Sequence, residues 1–284
     1  MKGLRTTNNC YGVIPKPSIA CRGARVNLLE LWHQQLGHAN YKQVVKVSKL
    51  QVVVGLPKFG KVEKNVCGPC QLGKQTKSSH PKVFGKVEKN VCGPCQLGKQ
   101  TKSSHPKVNV VATSRPLELL HVDLMGPTRT ESMGGKRYIM VVVNDFSRYS
   151  WVDFLREKSK ACDKMERLCK RLQNEKGVPI VRIRSDHGKE FENAKFEAFC
   201  NEYDIKKEFS TAKTPQQNRV VERKNRVIQE MAKVMLLNKN LPQKFWAEAV
   251  NTSCHIRNRI YFRAGTKKTS YEIWRDKKPK VKYF

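Results

Sequence analysis

Three acidic residues stand where acids are out of place. Asp123 closes the apolar run LELLHVDLMG, Asp186 closes IVRIRSD, and Glu222 lies in NRVVERKN beside Val220 and Val221. A carboxylate on an apolar strand is costly unless it is used, and open α/β sheets gather functional groups at strand ends. Two Asp and one Glu suit phosphoryl transfer. Two divalent ions held about 3.5–4 Å apart can make a water or hydroxyl nucleophilic and offset charge on the phosphorus. Mg²⁺ or Mn²⁺ takes hard oxygen ligands and needs few protein groups, so three carboxylates suffice. Thirty-five residues lie between Asp186 and Glu222, enough for a helix, a strand, a loop and the opening of another helix. Each acid alone has a plainer reading, as a turn former or part of a solvated helix face. Their joint placement favours a site.

A second constellation precedes them. Four residues separate His33 from His38, and CxxC pairs follow at Cys67/Cys70 and Cys92/Cys95. Two His and two Cys are a donor set for one structural Zn²⁺, closed by four protein ligands in a tetrahedron. There are two pairs because residues 59–83 recur letter for letter as 84–108. A structural array needs three or more units. Two identical copies point to a recent duplication or an assembly error. The first pair leaves 28 residues between His38 and Cys67, and the second leaves 53 between His38 and Cys92. The shorter loop favours Cys67 and Cys70, with Cys92 and Cys95 as the alternative.

These residues need elements to position them. LWHQQLGHANYKQVVKVSKL has apolar residues at helical spacing and predicts one or two short helices, the second capped by Asn40. The repeat lacks periodicity and reads as loop organised by its cysteines. From about residue 117 the chain becomes β-rich. LELLHVDLMG, YIMVVVNDFS, WVDFL, IVRIRSD and IKKEFS are five strands. Helices are predicted from Ser159 to Lys176, where Gly177-Val178-Pro179 stops them, and from Glu190 to Tyr203. A long helix opens near Pro215 and runs to Asn238, and another follows Pro242. The order β-β-β-α-β-α-β-α-α is an α/β domain with a mixed sheet. The chain divides into a loose lead-in (1–30), a mostly helical metal-binding module (31–108) and the α/β domain (117–284).

Charge narrows the partner. Lys and Arg number 56 against 24 Asp and Glu, a net charge of +32. Self-repulsion on that scale suits a protein that meets a polyanion, above all nucleic acid. With 39% hydrophobic and 28% charged residues, the chain can build a core. It has no apolar run of about 18 residues for a membrane span and no signal-peptide core at its start, which predicts a reducing compartment and no membrane partner. Arg219, Arg223, Lys224 and Arg226 surround Glu222 and are the candidates for backbone phosphate contacts.

The motifs LWHQQLGH, CGPCQLGKQTKSSH, RPLELLHVDLMGP, VVVNDFSRYSWV, IRSDHGKEFEN, FSTAKTPQQNRVVERKN, LPQKFWAEAV and TSYEIW together resemble the integrase segment of Copia-type long-terminal-repeat retrotransposon polyproteins. The resemblance runs from about Arg5 onward. It implies a ribonuclease-H-like five-stranded mixed sheet with flanking helices, behind a His-His-Cys-Cys zinc module whose spacing matches Cys67 and Cys70. It implies that Asp123, Asp186 and Glu222 bind the two catalytic metals, for 3′-end processing and strand transfer of element DNA into a host genome. It also implies a homo-oligomer when active, nuclear action and a cytoplasmic particle beforehand. Two positions depart from the pattern. Arg219 replaces a Gly after TPQQN, and Asn144 stands beside the retained Asp145 where the family often has a second acid. With these and the end at Phe284, the expectation is a fragment of an element. The other reading is a catalytically inactive zinc- and nucleic-acid-binding remnant.

Overall fold

The computed structural model describes residues 3–5, 11–13, 27–60, 67–74, 113–186, 188, 190–209 and 219–281. Near the start, β1 (Gly3–Arg5) and β2 (Tyr11–Val13) pair antiparallel. Two helices follow, α1 (Leu28–Gln35) and α2 (Tyr41–Lys49). The Asn27 side chain accepts from the amides of Leu29 and Glu30, and that of Asn40 from Lys42, so each helix starts on a side-chain cap. The segment read as loop contains a helix, α3 (Gly68–Lys74). Gly68-Pro69 at its start explains both the helix and the misreading. Pro is favoured in a first turn, while seven residues are too few to show a period. The second copy of the repeat, with Cys92 and Cys95, lies outside the described residues.

The α/β part has the mixed sheet expected. Its strands are β3 (Leu119–Met125), β4 (Tyr138–Asn144), β5 (Ser150–Leu155), β6 (Arg182–Ser185) and β7 (Lys206–Phe209). They lie in the order β5-β4-β3-β6-β7. The first three are antiparallel neighbours, and β6 and β7 run parallel to β3. This is a ribonuclease-H-like arrangement. Between the strands run α4 (Ala161–Lys176), which ends on Gly177 at φ 65°, and α5 (Ala194–Glu202). α5 starts four residues later than the sequence predicts, because the Asn193 side chain captures the Phe196 amide at 2.9 Å and so sets the cap there. The long helix α6 (Arg219–Asn238) carries Glu222; its predicted opening at Pro215 falls outside the described residues. A 3₁₀ turn at Gln243–Phe245 leads into α7 (Trp246–Ile260). A last helix, α8 (Ser270–Arg275), is held by a Thr269/Glu272 capping box.

The sheet separates two cores. On one face Leu120, Val122, Met140, Val142 and Ile183 pack on α4, α5 and Trp274. On the other, Ile139, Val141 and Val143 pack against Val221, Ile228 and Ala232 of α6 and Val250 and Cys254 of α7. A third core joins Leu36, Val44 and Val47 of the N-terminal helices to Met231, Ile256 and Ile260 of α6 and α7. Each fully buried aliphatic side chain contributes about 1.5–3 kcal/mol before chain entropy is counted, so this shared core ties the N-terminal helices to α6 and α7. Among the described residues no helix is long and apolar enough to cross a membrane.

Candidate functional site

Strand geometry fixes where the acids go. Side chains alternate along β3, so Leu120, Val122 and Leu124 enter the first core while His121 and Asp123 turn to the face covered by α6. β6 runs parallel to β3 with His121 opposite Arg184. Continued two residues further along both strands, the same register would set Asp186 level with Asp123. Glu222 sits in the first turn of α6, whose Val221 is fully buried against the sheet. One turn on, buried Asn225 donates from Nδ2 to Asp123 Oδ2.

Electrostatics couples the three acids. Burial pushes the Asp123 carboxyl above its ordinary value, and the charges of Asp186 and Glu222 add to the rise while the Asn225 hydrogen bond opposes it. Asp186 Oδ1 is buried with no hydrogen-bond partner among the described residues. Clustered carboxylates of this kind are hard oxygen donors, the type that suits a divalent cation.

Asn225 escaped the sequence reading, although its i+3 spacing from Glu222 puts both on one helix face. It favours the charged form of Asp123. Asn225→Leu is therefore expected to raise the Asp123 pKa further and weaken Mg²⁺ binding about tenfold at pH 7, one hydrogen bond to a charged group being worth about 1.5–3 kcal/mol. Calorimetric titration with Mg²⁺ checks this; equal affinities would remove Asn225 from the site.

Of the four basic candidates around Glu222, Arg223 and Arg226 are exposed. The Arg219 side chain lies outside the described residues. Lys224 turns inward and donates to the Arg148 carbonyl at 3.0 Å. Burial pulls its ammonium down to about 7, with the charges of Arg257 and Arg148 adding to the fall. The outward cationic face of this turn is thus Arg223 and Arg226.

A buried ion network braces β3 next to the acids. Asp145 Oδ1 lies 3.0 Å from His121 Nε2 and 3.1 Å from an Arg148 guanidinium nitrogen, and Asp145 Oδ2 accepts from the Thr113 hydroxyl at 2.9 Å. Burial alone would raise the Asp145 carboxyl, but the His121 hydrogen bond and the Arg148 charge outweigh it and hold it at about 2. Asn144 beside it accepts from the Ser147 amide and hydroxyl at 2.9 and 2.8 Å. That is an acceptor's task, so an acid or an amide can cap this turn. A carboxylate held below its ordinary 3.8 contributes stability that is full above pH 3.8 and lost as pH falls toward 2. Asp145→Asn should then cost about 2 kcal/mol at neutral pH, with the gap to the parent protein closing across that acid window. Urea unfolding at pH 7 and pH 3 measures it; a pH-independent difference would contradict the assignment.

The His and Cys residues meet as well. His33 lies in the last turn of α1, and Gly37 and His38 follow it at φ 61° and 60°, two left-handed residues that fold the His38 ring back toward α1. Such a φ is strained for a non-glycine residue. Cys67 immediately precedes α3 and Cys70 lies in its first turn. His38 Nδ1 is 3.2 Å from His33 Nε2 and 3.4 Å from Cys67 Sγ, and Cys70 Sγ is 3.5 Å from His33 Nε2. All four donor atoms lie within 4.8 Å of one another. Zinc bonds of about 2.0–2.3 Å make a tetrahedron with edges of roughly 3.3–3.8 Å, so the set matches zinc in donor type and in size. His33 Nδ1 contacts the Ala39 carbonyl at 2.7 Å, which leaves Nε2 aimed at the cluster. Tyr41 stacks on the His33 ring at 4.1 Å and hydrogen-bonds Glu30.

Residues 113–215 match the integrase core domain family, and residues 10–75 match the GAG-pre-integrase domain family. The chain carries an integrase core domain. Around it the likeness extends to a retrovirus-related Pol polyprotein from transposon TNT 1-94 of Nicotiana tabacum, 33% identical over 231 residues, or 81% of this chain. The chain spans 15% of the length of that polyprotein. Among solved structures, the integrase core is similar to the HTLV-2 integrase catalytic core domain in complex with magnesium, at 23% identity and a TM-score of 0.43, over 56% of this chain and 96% of that one. It is also similar to a chain of the simian T-cell lymphotropic virus intasome in complex with PP2A regulatory subunit B56 gamma, at 18% identity and a TM-score of 0.49, over 64% and 63%. In this integrase core, the family match takes in Asp123 and Asp186 and ends seven residues before Glu222.

Proposed function

We propose that the chain is a retrotransposon integrase, which processes the 3′ ends of element DNA and joins them to a host genome. The observation that supports the reading is the buried Asp123 carboxylate, which feels the charges of both Asp186 and Glu222, together with a buried Asp186 oxygen that has no hydrogen-bond partner among the described residues. These three carboxylates would hold two divalent ions, Mg²⁺ or Mn²⁺, which supply Lewis-acid activation and charge neutralisation when bound. The chain's own residues do the rest. Asn225 orients Asp123 and favours its charged form, and α6 carries Glu222 one turn before Asn225. Arg223 and Arg226 reach backbone phosphates, contacts that position DNA without reading its sequence. His33, His38, Cys67 and Cys70 would hold one structural Zn²⁺. Joining two DNA ends calls for more than one copy, so the working form is a homo-oligomer, acting in the nucleus after a cytoplasmic particle stage.

A strand-transfer assay with Mn²⁺, run beside Glu222→Gln, tests the proposal. Joined products that vanish in the variant are expected. Metal-dependent joining that survives loss of Glu222 would overturn the site. Salt-sensitive DNA binding without turnover in either metal would favour a non-enzymatic binding remnant instead.

A further inference from the structure

The segment that carries the His–Cys cluster grips the same helix that carries Glu222. Gly73, three residues after Cys70, lies so close to α6 that a Cβ there would sit 2.4 Å from Val234 Cγ2. Gly37, next to His38, lies the same way: a Cβ would stand 3.0 Å from Ile256 Cδ1 and 3.1 Å from Met235 Sδ. The two backbone approaches flank the cluster, one on the histidine side and one on the cysteine side. Both land on the C-terminal half of α6 or on its partner α7. Further along, the Val54 amide donates to the Pro279 carbonyl at 2.9 Å and the Val281 amide to the Val54 carbonyl at 3.0 Å, closing the N-terminal segment onto the far end of the chain.

We infer that the His–Cys cluster and α3 form a clamp that sets the placement of α6, so that filling the cluster tightens the acid site. α3 is too short to persist unaided, and its described anchors are Cys67 and Cys70 on one side and α6 on the other. Val234 is twelve residues from Glu222, about 18 Å along a rigid helix. Holding α6 at Val234 therefore constrains where Glu222 and Asn225 meet Asp123. Gly73 and Val234 are positioning residues in this scheme, acting through α6 and touching neither metal nor DNA. The inference rests on reading the cluster as a zinc site.

The test compares the full chain loaded with zinc, stripped by a chelator that is then removed, and reloaded, alongside Gly73→Ala and Gly73→Val. Hydrogen exchange is followed along α6, and Mg²⁺ binding by calorimetry, since a thiolate–imidazole cluster does not take Mg²⁺. Stripping zinc should speed exchange over the first two turns of α6 and weaken Mg²⁺ binding about tenfold, within the usual range of coupling between sites. Reloading should reverse both. Gly73→Ala and Gly73→Val should weaken Mg²⁺ binding in graded fashion while each chain still holds one zinc. A chain that binds zinc but shows the same Mg²⁺ affinity and the same α6 exchange with and without it would overturn the clamp alone. A chain that takes up no zinc would overturn the cluster reading and the clamp with it.

Discussion

Asp186→Asn is expected to abolish strand transfer and, in the absence of divalent ions, to raise the melting temperature. The loss should be at least about 10²-fold, since removing a single preorganised electrostatic contact already costs that much. The gain follows from the geometry. Asp123 is raised by burial and by the charges of Asp186 and Glu222. A carboxyl raised in the folded state destabilises the fold at pH above its folded value. The penalty shrinks as pH falls from there and is gone below the ordinary 3.8. Removing the Asp186 charge relieves part of it at neutral pH. Mg²⁺ should stabilise the parent protein and leave the variant nearly unchanged. Thermal unfolding with and without Mg²⁺ at pH 7.5, beside the joining assay, checks all three statements. A variant that melts lower without metal would mean the acids are not crowded as described.

Zinc removal should produce the largest change in stability. The four donors hold α1, the Gly37-His38 turn and α3 together, and the strained His38 backbone has reason to persist only while its ring is held. Binding energy at a structural zinc site is folding energy. Cys70→Ser, which removes one donor, should cost about 3 kcal/mol or more. For a chain of this size that lowers the melting temperature by roughly 6–12 °C. Far-ultraviolet dichroism during a thermal scan, with the zinc content of each sample measured, reads the effect. A Cys70→Ser protein that melts with the parent would remove the metal from the cluster.

Much of this was legible in the residues. Asp123 and Asp186 break apolar runs, so their strands could be located; Asp186 follows the end of β6 as read, whereas Asp123 lies two residues inside the end of β3, and the face each takes came only with the sheet register. The HxxxxH and CxxC spacings gave the donors. What stayed hidden depends on distant contacts. α3 reads as loop because seven residues show no period, and its contacts with His33, His38 and Val234 lie outside its own sequence. Asn225 reads as an ordinary helix residue until Asp123 is set opposite it. Lys224 is indistinguishable from Arg223 and Arg226 by type and neighbourhood, yet the turn of the helix points it at the Arg148 carbonyl and away from solvent.

The pairing of β3 with β6 has a consequence for how much change this protein tolerates. The alternation that presents Asp123 and Asp186 to α6 also buries Leu120 and Ile183 on the opposite face. A one-residue insertion at the start of β6 would swap the faces, so that Asp186 turned toward the first core and Ile183 left it. The damage would not be a subtle misplacement of one carboxylate. It would unseat the core, and the chain would be lost to misfolding before it could work badly. The site's alignment is guarded by oil rather than by the acids themselves: drift that preserves a folded sheet also preserves the meeting of its two aspartates.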